Sequence, residues 1–167
     1  MPLGVRTSVC ACGQVRCESR GEPILSVVCY CLDCQEGGRR IEALPGAPRV
    51  LDDDGGAPYL LYRDDRFRCV AGEALLIDHR LKPRSPTRRV VARCCNSGMF
   101  LKFDPGFWVS SYRRRYSDEL PPIDMRTNVR RRTATTPPPN DAPCYRSFPP
   151  RLFTKLIGAR IATLFER

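Results

Sequence analysis

Between residues 8 and 103 the apolar side chains fall in short β-like runs, at 14–18, 24–29, 59–62, 74–77, 90–93 and 99–103, and helical periodicity is weak. Turn residues punctuate them: Gly37-Gly38, Pro45-Gly46, Gly55-Gly56 and Ala71-Gly72. The pattern predicts a meander of antiparallel strands, hence a mainly β fold. Asp52-Asp53-Asp54, just before Gly55-Gly56, lacks the spaced ligands of a calcium loop and reads as an exposed loop.

Beyond Gly106 the text changes to proline clusters, Pro121-Pro122, Pro137-Pro138-Pro139 and Pro149-Pro150, which is linker or wrapped-loop composition. The chain then closes with Leu152, Phe153, Leu156, Ile157, Ile161, Leu164 and Phe165 at helical spacing, bounded by Arg151, Lys155, Arg160 and Arg167. One amphipathic helix is expected there, packing its apolar face onto the β body, with a membrane surface as the alternative. Two segments follow from this reading, a body over 8–104 and a proline- and arginine-rich extension over 105–167. No internal repeat is visible.

Charge changes the picture only when it is divided. Residues 1–104 carry a net +3 and 105–167 a net +7 of the total +10. Arginine outnumbers lysine 25 to 3, and the runs Arg113-Arg114-Arg115 and Arg130-Arg131-Arg132 read as solvated or disordered stretches. Tyr112 and Tyr116 are the only aromatics beside the first run, so no stacking platform accompanies the charge and nucleic-acid binding ranks last. The N-terminus has no apolar core of a secretory signal, and no run is long enough to span a bilayer. The expectation is a soluble protein of a reducing compartment, the cytoplasm by default with the nucleus left open.

Seven of the ten cysteines stand in three tight groups: Cys10-x-Cys12, Cys29-x-Cys31-x-x-Cys34 and Cys94-Cys95. Thiols so close in sequence are poor disulfide partners and good metal ligands, and zinc is the expected ion. In an extended segment residues two apart face the same way, so Cys10 with Cys12, and Cys29 with Cys31, can each reach one ion. Cys34 closes back if the chain turns at Leu32-Asp33. Its three-sulfur claw has no obvious fourth ligand; Cys17, Cys69 and His79 are candidates, and an open position is the other option. Cys94 and Cys95 can serve one ion only if the backbone kinks, helped by Asn96-Ser97-Gly98, with Cys95 the firmer ligand and Cys17 a substitute for Cys94. As thiolates on two zinc ions, the seven would leave the body nearly neutral and the whole chain at about +7. Cys17, Cys69 and Cys144 are isolated and read as plain thiols, and His79 as a satisfied residue at a strand end.

These motifs resemble the glutathione-dependent formaldehyde-activating enzymes and their centromere protein V relatives, as a divergent branch. The family pattern is C-x-C-G, then C-H-C-x-x-C, then C-x-x-C-G. Here Cys10-Ala11-Cys12-Gly13 and Cys29-Tyr30-Cys31-Leu32-Asp33-Cys34 fill the first two, with Tyr30 in place of histidine. Ala92-Arg93-Cys94-Cys95-Asn96 stands at the third, with alanine where its first cysteine would be. The resemblance covers roughly residues 8–104 and implies a zinc-stapled β-tent. It assigns Cys10, Cys12 and Cys95 to a structural zinc, with Cys94 standing in for the missing ligand, and Cys29, Cys31 and Cys34 to a second zinc. It further implies carbon–sulfur lyase chemistry on thiol adducts such as S-hydroxymethylglutathione, with a thiol-containing small molecule at the second zinc. No catalytic side chain is assigned. The competing expectation is a non-catalytic zinc module that binds a protein partner through the extension.

Overall fold

A computed structural model of the chain describes residues 4–165. Ten strands form two sheets. The smaller has the order β1-β2-β5, made by Val5–Val9 (β1), Arg16–Arg20 (β2) and Phe67–Ala71 (β5), all antiparallel. The larger contains Leu25–Cys29 (β3), Ala57–Arg63 (β4), Leu76–His79 (β6), Thr87–Ala92 (β7), Ser97–Phe103 (β8), Trp108–Tyr112 (β9) and Met125–Thr127 (β10). Its order is β10-β3-β4-β9-β8-β7-β6, antiparallel except for β10 beside β3. The mainly β expectation holds, and each of the six apolar runs contributes to a strand.

One helix departs from the sequence reading. Gly37-Gly38, read as a turn, lies inside Leu32–Glu42 (α1). Two neighbours demand glycine there: a side chain at 37 would collide with Arg89, and one at 38 with Leu51. The helix starts at Cys31, whose sulfur accepts from the Cys34 amide at 3.4 Å and so caps the first turn. Its end is tied down by Glu42, whose carboxylate accepts from the Val50 and Leu51 amides, both at 2.8 Å.

The expected C-terminal helix is present as Pro150–Phe165 (α2), with proline at its first position, where no amide hydrogen is needed. Arg167 lies outside the described residues. Leu152 and Leu156 are buried in the main core with Leu25, Ile41, Tyr59 and Leu101. Phe153, Ile157 and Ile161 remain at least half exposed. A second, smaller core of Cys10, Val15, Cys17, Ala92 and Met99 lies between the small sheet and the β7–β8 hairpin.

Two strands of the large sheet, β9 and β10, come from beyond residue 104. The first arginine run and Arg132 of the second are correspondingly structural, a correction to their reading as solvated stretches, whereas Arg130 and Arg131 are exposed as that reading expects. Arg113 donates to the Ser26 hydroxyl at 2.5 Å and to the Pro121 carbonyl at 2.9 Å. Arg114 pairs with Asp52, and the Arg132 guanidinium lies 5.8 Å from the Tyr30 ring centre. Tyr112 is fully buried and the Tyr116 hydroxyl is bonded to Ser19, so neither offers a face to a base. Among the described residues no helix is long and apolar enough to cross a membrane.

Candidate metal centres

Cys10 and Cys12 sit in the turn between β1 and β2, which closes through Gly13 at φ +81° and a Gly13 amide to Cys10 carbonyl bond of 2.9 Å. Cys94 and Cys95 sit in the turn between β7 and β8, where Asn96 takes φ 54°. That left-handed residue is the kink needed to turn both side chains inward. All four sulfurs lie within 4.8 Å of one another. The closest approaches are Cys12–Cys94 at 3.3 Å, Cys10–Cys12 at 3.6 Å, Cys10–Cys94 at 3.8 Å and Cys94–Cys95 at 3.9 Å. A tetrahedral zinc with Zn–S bonds of about 2.3 Å requires sulfur–sulfur edges of about 3.8 Å, so the donor set fits. Cys94 lies as close to the set as Cys95, and Cys17 is not part of it: it faces Cys69 across the β2–β5 pair.

Donors surround these sulfurs. The Val15 amide points at the Cys10 sulfur at 3.2 Å, and Ser97 Oγ lies 3.1 Å from the Cys95 sulfur while accepting from the Ala11 amide at 2.9 Å. Burial pushes the Cys95 thiol up, but the Ser97 hydroxyl and the Cys12 amide more than offset it and bring the pKa down to about 6. Cys94 is pushed up to about 12, first by burial and then by the Cys12 and Cys10 sulfurs. Arg115 reaches Ser97 Oγ at 3.5 Å and the Arg49 carbonyl at 3.1 Å, and attracts the Cys95 and Cys10 charges. It is a second-tier cation that compensates thiolates, which the sequence reading had placed in a solvated run.

The second group is local in sequence. Cys29 ends β3, Cys31 caps α1 and Cys34 lies in its first turn, and their sulfurs lie within 4.8 Å of one another. Hydrogen bonds from Cys31 and Cys34 hold Cys29 well below the ordinary thiol value, and its charge in turn raises Cys31 to about 11 and lifts Cys34 further. The Asn128 amide nitrogen lies 3.8 Å from the Cys29 sulfur. Three sulfurs this close could hold a metal ion. Cys17, Cys69 and His79 do not join it; among the described residues the group has three ligands. His79 ends β6, opposite Arg89.

The three-sulfur group opens onto a cavity of about 800 Å³, floored by Cys31 and Cys34, walled by Leu101, Phe103, Phe107 and Trp108, and covered by α2. A smaller inner chamber of about 160 Å³ adds Cys29, Tyr59 and Thr127 to the lining. Polar groups are buried around the group: the Tyr59 and Tyr112 hydroxyls meet each other, Thr127 reaches the Cys29 sulfur, and Arg89 Nε has no hydrogen-bond partner. Arg89 is 2% exposed, donates to the Asp33 carbonyl at 2.5 Å and has no carboxylate partner among the described residues. Burial pushes Tyr59 well above the ordinary phenol value, assisted by the nearby Cys34, so Tyr59 remains a donor at neutral pH. Sequence reasoning missed Tyr59 and Arg89 because neither stands near a cysteine in the chain. Register alone joins them, Tyr59 lying opposite Val27 on β3 and Arg89 opposite Leu101 on β8.

Tyr30, the residue in place of the family histidine, points elsewhere. Its hydroxyl donates to Asp54 Oδ2 and accepts from Arg126 Nη1, both at 2.6 Å. Asp54 is therefore buried, at 3% exposure, and not part of an exposed loop as read from sequence. Arg126 carries the connection onward to Asp141 through two bonds, at 2.8 and 3.0 Å. Gln35 completes the weld: its amide donates to the Tyr30 and Arg131 carbonyls and accepts from Thr133.

Residues 5–42 match the sequence model of the glutathione-dependent formaldehyde-activating enzyme family. A crystal structure of a Rhodobacter sphaeroides protein aligns at 17% identity with a TM-score of 0.46, covering 69% of this chain and 91% of that one. No curated protein matches the chain. Through the stretch that carries Cys10, Cys12 and the whole Cys29–Cys31–Cys34 group, the chain is related to the glutathione-dependent formaldehyde-activating enzyme superfamily.

Proposed function

We propose that the protein is a two-zinc enzyme that makes or breaks the carbon–sulfur bond of thiol adducts. The observation that carries this reading is the contrast between its two sulfur groups. Four sulfurs complete a tetrahedron between the β1–β2 and β7–β8 turns, which makes that site a staple between the sheets. Of the other three, Cys31 and Cys34 stand at the floor of a cavity large enough for a ligand and Cys29 lines its inner chamber.

Cys29, Cys31 and Cys34 would hold the zinc, which when bound would lower the pKa of a thiol at its remaining position. The surrounding residues do the rest. Phe107, Trp108, Leu152 and Leu156 give the cavity apolar walls. Arg89, which lines the larger chamber, and Tyr59, which lines the inner one, bring N–H and O–H donors to the cysteines, suited to an oxygen that gains charge as the adduct forms. In addition, the thiolate lone pair forms the C–S bond, the carbonyl π pair moves onto oxygen, and that oxygen takes up one proton for the one the thiol released. Electrons and protons balance without a redox partner, and the lyase direction is the reverse.

Cobalt substitution tests the reading. Protein loaded with two cobalt ions should show a change in its thiolate-to-metal absorption on adding 2-mercaptoethanol, and Cys31→Ser should abolish that change. A spectrum indifferent to thiol would mean that the second ion has no free position, and the enzymatic reading would fail.

A second reading, a zinc module that captures a protein partner, draws on Leu164 and Phe165, which are 67% and 83% exposed at the end of α2. Replacing both by aspartate separates the two: partner capture would be lost on this reading, whereas the response to thiol would persist on the first.

A further inference from the structure

Building on the thiol-adduct reading, we infer that the ligand of the Cys29–Cys31–Cys34 site carries a long apolar body, as an alkyl or aryl thiol or its carbonyl adduct does. The cavity is about 800 Å³ and its walls are carbon: Leu101, Phe103, Phe107, Trp108, Leu152 and Ile157 provide most of the surface. Its charged side chains are few. Asp33 is exposed at the rim, and Arg160 lies over the Phe107 ring at 5.5 Å from its centre. Arg89 is the buried cation, located with the cysteines.

An alkyl chain suits such walls. Each methylene removed from water strengthens binding by about fourfold, provided that the wall is apolar. The half-exposed positions on α2 also find an explanation here. Phe153, Ile157 and Ile161 all line the cavity, so a bound chain would cover side chains that water now reaches. The thiol head is then directed to the cysteines, with Tyr59 and Arg89 available to the oxygen of an adduct.

Trp108 is the chain's single tryptophan and lines both chambers, so its emission reports occupancy without any assay of turnover. The zinc-loaded full-length protein is titrated with 1-butanethiol, 1-octanethiol and glutathione. Octanethiol should bind at least about tenfold more tightly than butanethiol, and more tightly than glutathione. Affinity independent of chain length, or glutathione as the tightest of the three, would overturn the inference. The variant Ile157→Glu, at a 58% exposed helix position where folding is not at risk, should weaken octanethiol by about tenfold or more and leave butanethiol nearly unchanged. Equal octanethiol affinity in variant and parent would likewise overturn it. The cobalt experiment separates the two failures: a thiol-sensitive spectrum with no chain-length preference removes this inference and keeps the enzyme, whereas chain-length preference with an insensitive spectrum removes the enzyme and keeps the apolar site.

Discussion

Tyr30→Phe removes one hydroxyl and nothing else, and the structure fixes what that should do. Tyr30 is fully buried, and its hydroxyl links an acid and a base, Asp54 and Arg126, that are 3% and 3% exposed. Neither partner is left bare by the change. Asp54 keeps the Gly56 amide at 3.0 Å and Arg126 Nη1 at 3.3 Å, while Arg126 keeps both oxygens of Asp141. The loss is therefore that of hydrogen bonds to charged groups, about 1.5–3 kcal/mol, and not the larger cost of an isolated buried charge. For a chain of this size that corresponds to a fall in Tm of roughly 3–10 °C. Asp54→Asn should cost about 1.5–3 kcal/mol as well, because it weakens the bonds that Asp54 makes with Tyr30 and Arg126 while Arg126 stays paired with Asp141. Since the two side chains touch, the double variant should fall short of the sum by about 0.5–3 kcal/mol. Urea unfolding of the zinc-loaded proteins, followed by Trp108 emission and circular dichroism, measures all three. A Tyr30→Phe change of less than about 0.5 kcal/mol, or strict additivity with Asp54→Asn, would refute the structural role of Tyr30. Loss of zinc from the second site in Tyr30→Phe would refute it in another way, by making Tyr30 part of the metal centre.

Other outcomes follow from the same geometry. Cys12→Ser should impair folding far more than Cys31→Ser, because only the first breaks a link between the two sheets; equal collapse in thermal melts would show that both sites are structural. Gly37→Ala should destabilise the fold, against the usual gain of alanine in a helix, because the new methyl group meets the buried Arg89; a more stable variant in urea titration would contradict the packing described for α1. Asp141 is held below the ordinary carboxylate range by Arg126, so its contribution is present above that range and lost as pH falls through the lowered value. Asp141→Asn should flatten the acid limb of the stability profile, and an unchanged limb would remove Arg126–Asp141 from the account.

Much of the body was legible because its signals are local. The apolar runs at 24–29, 59–62 and 99–103 contribute to β3, β4 and β8, and the stripe from Leu152 to Phe165 is α2. The cysteine groups were legible for the same reason, and even the kink at Asn96 followed from needing two adjacent sulfurs on one face. What escaped was set by long-range contact. Gly37-Gly38 reads as a turn until Arg89 and Leu51 arrive to occupy the space of two side chains. Three-residue β10 has too few positions for a pattern and exists by pairing with β3. The arginines of the extension look alike in sequence, yet Arg113, Arg115 and Arg126 each meet a different buried acceptor. Tyr59 and Arg89 reach the cysteines through sheet register and the placing of α1, which no spacing along the chain reveals.

The central claim is that the seven clustered sulfurs bind two ions in two different ways. X-ray absorption at the zinc edge, combined with metal analysis of protein purified without a histidine tag, tests it most directly. The account expects two zinc ions per chain with about 3.5 sulfurs each on average, falling to one ion with about four sulfurs in a Cys29→Ser/Cys31→Ser variant that remains folded. A protein that is fully folded and free of bound transition metal would contradict it.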